Sequence, residues 1–109
     1  AETGISDLAF REAAELGLFG PQPHSSHEVE IAFALVGLEQ FGIQPRHLRG
    51  LKSAAEREVA IITGVTEPVL RKKAPESAAR AAHIASEIAE RFGAIRGHLI
   101  QQSIDSIEG

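Results

Sequence analysis

The chain has 109 residues, 43% of them hydrophobic and 24% charged, which is enough apolar content for one packed core and too much for a disordered segment. It has no cysteine, which excludes disulfides and thiolate metal sites and fits a reducing cytoplasm. The net charge of −4 is uneven: residues 1–30 hold six acids against one base, Arg11, so the first third repels phosphate.

Trp and Tyr are absent and Phe occurs five times, too few rings to stack a single strand. Direct contact with DNA or RNA is therefore not expected. No apolar run reaches the ~18 residues of a membrane span, and no signal-peptide pattern opens the chain. Ala1 stands where an initiator Met would be, so the sequence is expected to be a piece of a longer protein.

Four helical segments follow in order, with almost no strand pattern. The first is expected over Asp7–Leu16, with Ser6 as N-cap and Gly17 as the stop. The next stretch, Gly17 to Pro23, holds two Gly and two Pro and reads as a loop anchored by Leu18 and Phe19. A second helix starts near Ser25, where Ser25 and Glu28 have capping-box spacing, and ends at Phe41 before Gly42. Val29, Ala32, Phe33 and Val36 lie on one side of it, with Ile31, Leu35 and Leu38 roughly opposite. Such a helix is expected to be sandwiched at the centre of the fold.

The third helix is expected to begin at Pro45, because proline at the first position leaves no amide unpaired. Its stripe is Leu48, Leu51, Ala55, Val59, Ile62 and Thr66. Pro68 should bend or end it, and the Arg71-Lys72-Lys73 cluster suits a helix C-terminus. The fourth helix, from about Pro75 to Ile107, is the longest. Ala81, Ala85, Ile88, Phe92, Ile95 and Leu99 repeat with a heptad rhythm and form a candidate dimer seam. At about 50 Å, this helix either breaks near Gly93 or Gly97 or projects to bury its seam on another chain. Glu67–Arg71, Glu76–Arg80 and Glu87–Arg91 are spaced to support solvated helix faces.

Few residues suggest chemistry. His24 and His27 could bind a metal from a turn, but without cysteine, and with Glu28 and Glu30 better placed as helix N-terminal charges, no metal is expected. Arg46, His47, Arg49 and Arg57 form a candidate partner or anion surface at the start of the third helix. The plainer reading is a solvated basic face, with His47 contacting Glu58. No nucleophile elbow, phosphate loop or zinc motif occurs, so no catalytic residue and no cofactor are expected.

Four segments carry a resemblance to a known family: Ala13 to Pro21, Phe41 to Arg49, Ala54 to Val59 and Ala78 to Ala81. Over Ile5–Ile107 the chain resembles the C-terminal region of MerR-family transcription regulators, most specifically the FtsR-like cell-division regulators. In that family a separate winged helix-turn-helix reads promoter DNA, and that module is not in this chain. The order of elements in residues 5–50 also looks like a degenerate MerR-type winged domain. Its recognition-helix place falls to Asp7–Leu16, which carries one Arg, Arg11, among three acids and so suits DNA badly.

The expectation is thus an all-α single domain over residues 1–109. Residues 5–50 form the winged-helix-like part, and residues 45–107 supply long helices for packing and dimerisation. By resemblance it is a cytoplasmic, non-enzymatic homodimerisation domain of a regulator, with promoter DNA contacted only through the missing module and no membrane partner. Two other readings stay open. One is an effector-binding module with a pocket lined by Phe33, Phe41 and Phe92. The other is an adaptor for a protein partner, working through the acidic N-terminal third that includes Glu12 and Glu15.

Overall fold

A computed structural model describes residues 4–20 and 26–108. Among them the chain is all-α: α1 spans Asp7–Glu15, α2 Ser26–Glu39, α3 Arg49–Arg71 and α4 Ser77–Glu108, with a 3-10 turn at Pro45–Leu48 leading into α3. The all-helical expectation holds. Residues 1–55 and 56–109 form two compact units.

In the first unit, the Ser6 hydroxyl accepts the Ala9 amide at 3.1 Å and starts α1 as its pattern requires. Gly17, at φ +75°, ends it. Leu18 N–H donates to the Ala13 carbonyl at 3.0 Å and Gly17 N–H to Ala14 at 3.1 Å, the paired bonds of a Schellman cap. The same arrangement closes α2, where Gly42 has φ +77°, Ile43 N–H reaches Leu38 at 3.2 Å and Gly42 N–H reaches Glu39 at 2.9 Å. The Ser25 half of the expected capping box lies outside the described residues.

Ile5, Ala9, Ala13, Ala32 and Leu35 form the core of this unit, with Leu18, Phe19, Ile31, Val36 and Leu48 packed around them. The Phe10 and Phe19 rings stack at 4.9 Å, so the loop after α1 is anchored as its two large apolar residues suggested. Three of the five core residues are alanines, and Ala13 is completely buried.

α2 differs from expectation. Within its unit only one face is covered, by way of Ala32, Leu35, Ile31 and Val36, while Val29 and Phe33 stay exposed. α3 also starts later than its proline suggested. Pro45 is fully buried, and the residues from Pro45 to Leu48 wind as a tighter turn before the α-helix sets in at Arg49.

The second unit comprises the rest of α3 and α4, joined by the turn at residues 72–76. Pro68 neither ends nor interrupts α3, which continues to Arg71. The proline lacks the amide that would donate to the Gly64 carbonyl, so the last turn of α3 holds with one backbone bond fewer. Lys73, at φ 52°, completes the exit, with Lys72 N–H on Val69 at 3.3 Å and Lys73 N–H on Leu70 at 3.2 Å.

Thr66, Ser77 and Ala81 are buried, and Glu58, Ile62, Val69, Ala85, Ile88 and Phe92 are half-buried. The inward stripe of α3 is therefore Glu58, Ile62, Thr66 and Val69. Leu51, Ala55 and Val59, assigned to the covered stripe by spacing alone, are exposed. α4 is unbroken through Gly93 and Gly97.

Candidate functional site

The heptad stripe of α4 is divided by its surroundings. Ala81 is 5% exposed and Ala85, Ile88 and Phe92 are half-buried, whereas Ile95 and Leu99 are 59% and 60% exposed. The change falls beside Arg96, whose guanidinium donates to both carboxylate oxygens of Glu58 on α3. This fork-shaped pair ties α3 to α4. Both partners touch solvent, so it contributes at most about 1 kcal/mol. It fixes the register of the helices more than their stability.

Beyond Arg96 the helix runs on to Glu108 and exposes three more large aliphatic residues, Ile100, Ile104 and Ile107. They sit roughly 100° round the helix from the Ala81–Leu99 stripe, given 3.6 residues per turn. The heptad spacing ends at Leu99, because its next two positions are Gln102 and Ser106, whereas Ile100, Ile104 and Ile107 follow one another at i, i+4, i+7. Monomeric surfaces rarely leave so continuous an aliphatic strip bare.

The basic residues at the start of α3 divide between the two units, with Arg46, His47 and Arg49 in the first and Arg57 in the second. Arg46 is engaged within the chain: its backbone N–H donates to Glu12 Oε1 at 3.2 Å and its guanidinium lies 3.8 Å from Glu12 Oε2. The same guanidinium donates to Gln44 Oε1 at 2.8 Å. His47 caps the turn, with its Nδ1 accepting the Gln44 amide at 2.9 Å. His47 is thus held within its own turn, and Glu58, in the second unit, pairs with Arg96. Arg49 and Arg57 are exposed and belong to different units.

Glu12 is a residue that sequence reasoning misjudged. It counted as one more repulsive acid, yet it ties α1 to the start of α3.

His24 of the candidate His24/His27 pair lies outside the described residues. Among the described residues no three His, Asp or Glu side chains form a metal-ligand group, and no helix is long and apolar enough to cross a membrane. Phe33 and Phe41 are 51% and 73% exposed, and Phe92 is half-buried in the other unit. A depression of about 460 Å³ is lined by Glu67, Leu70, Arg71 and Lys73, an open and charged surface with no convergent chemistry.

The chain is 28% identical over 81 residues to two proteins named as uncharacterized HTH-type transcriptional regulators, Rv1828 of Mycobacterium tuberculosis and Mb1859 of Mycobacterium bovis. The match takes in 74% of this chain and 33% of each relative, so it spans about a third of their length. The family described as Rv1828-like, C-terminal domain, matches residues 1–108, and the chain belongs to that family.

Proposed function

We propose that this chain is the C-terminal dimerisation and regulatory domain of a cytoplasmic MerR-type transcription regulator of the FtsR-like kind, and that it does not itself read DNA. The names of its relatives support a regulator, and their greater length leaves room for a DNA-reading module elsewhere in the protein. The acidic α1, with Asp7, Glu12 and Glu15 against Arg11, supports the view that DNA is contacted by that other module. Residues 5–50 act as the winged-helix-like part and residues 45–107 as the assembling part of one functional domain.

The observation that carries the reading is the bare aliphatic run on the last third of α4. Two copies bury Ile95, Leu99 and their neighbours against each other and so set the distance between two DNA-reading modules, as operator half-site spacing requires. Burial of each large aliphatic side chain contributes about 1.5–3 kcal/mol.

Sedimentation of the 109-residue chain tests this. The wild type is expected to be a dimer at micromolar concentration. Leu99→Asp should weaken association by about tenfold or more while helicity by circular dichroism is unchanged. A wild-type chain that stays strictly monomeric rejects the proposal.

A further inference from the structure

The exposed isoleucines of α4 share their side of the helix with its two glycines. Gly93, Gly97, Ile100 and Ile104 follow at i, i+4, i+7 and i+11, a spacing that keeps them within about 60° of one another round the helix. Ile100 and Ile104 are 54% and 45% exposed, Gly97 is exposed and Gly93 half-buried. A Cβ on either glycine would meet nothing within 4 Å. Glycine in mid-helix is less favourable than alanine, and the packing of its own chain requires neither one.

Area shows that this side of α4 is needed if two copies associate. A large aliphatic side chain brings about 100 Å² of apolar area to an interface. Ile95 and Leu99 of two copies therefore bury about 400 Å² between them, the size of a crystal contact. Adding Ile100, Ile104 and Ile107, which are equally bare, raises this to about 1,000 Å², the least that a specific interface needs.

We propose that the α4 helices of two copies cross antiparallel on this face, with Ile100 of each entering the Gly97 gap of the other and Ile104 the Gly93 gap. The inference rests on the dimer reading and adds the face and the direction of the contact. Size selects a second copy as the occupant. A twofold contact uses one patch on both chains, so that patch must be complementary to itself. The midpoint of positions 97 and 100 is also that of 93 and 104, so one antiparallel register sets both isoleucines opposite glycines at once. Parallel copies would set glycine on glycine and isoleucine on isoleucine, which leaves voids beside crowded layers. None of the four residues is charged, so the centre of the contact brings no like charges together. Ile95 and Leu99, farther round the helix, are left to a further helix of the same partner.

Exchanging the two side chains makes the test, read by sedimentation of the full chain. Gly97→Ile fills the gap and Ile100→Gly removes the residue that enters it, so each should weaken association by about tenfold, the loss typical of one interface anchor. The double variant Gly97→Ile/Ile100→Gly again sets a large residue opposite a small one and is expected to regain most of the wild-type affinity. Its composition is that of the wild type, and circular dichroism separates a lost contact from a lost helix. A dimer indifferent to the single changes, or a double variant no better than either single one, overturns the antiparallel contact while the dimer reading stands. A wild-type chain that is monomeric at micromolar concentration overturns both.

Discussion

Gly17 and Gly42 do the same work at the ends of successive helices. Each holds a positive φ that lets two amides turn back onto the last carbonyls. A side chain there strains the left-handed backbone whatever the space around it. Gly42 faces open space, and a Cβ on Gly17 would meet only the flexible Lys52 Cε at 3.2 Å. Gly17→Ala and Gly42→Ala should therefore cost nearly the same, about 1–2 kcal/mol each. Thermal unfolding checks this, and a much larger loss at Gly17 would show that Lys52 cannot move aside.

The Arg46–Glu12 pair sits at the same scale. With the Arg46 side chain 54% and Glu12 24% exposed, a double-mutant cycle with Arg46→Ala and Glu12→Gln should give a coupling of about 1 kcal/mol or less. The backbone bond from Arg46 N–H to Glu12 survives the arginine change and is lost only when the acceptor is removed, so Glu12→Ala is expected to cost more than Arg46→Ala.

At the scale of the element, α4 is the informative helix. It holds 32 residues without a break, although Gly93 and Gly97 lie inside it and neither is required by its own packing, since a Cβ at either position meets open space. Gly93→Ala and Gly97→Ala should therefore raise the stability of the isolated chain by about 0.5–1 kcal/mol each. Chemical denaturation measures it. A fall in stability or in self-association would mean that the missing side chain makes room for a neighbouring helix. The Glu87–Arg91 pair, formed at 3.5 Å, gives the solvated side of the same helix the support that its spacing promised.

For the molecule as a whole, the aliphatic run on α4 sets how association should respond to salt. Association through Ile95 and Leu99 removes apolar area from water and should hold or strengthen at high ionic strength. Sedimentation over a salt series checks it. Association that weakens as salt rises would mean that surface charge, and not apolar burial, holds the copies together.

Much of this protein was legible from residue order. Ser6, Gly17 and Gly42 mark helix ends by local chemistry that needs no tertiary partner, and the heptad rhythm of Ala81 to Leu99 already identifies the long helix. Where periodicity was asked to say which face is covered, it reached its limit. Glu58 turns inward because Arg96 meets it from another helix, and Val59 next to it is left in solvent. Glu12 changes from a repulsive charge to a tie because Arg46, 34 positions later, folds back to it. Such contacts depend on which helices meet, and a pattern along one helix carries no record of its neighbour.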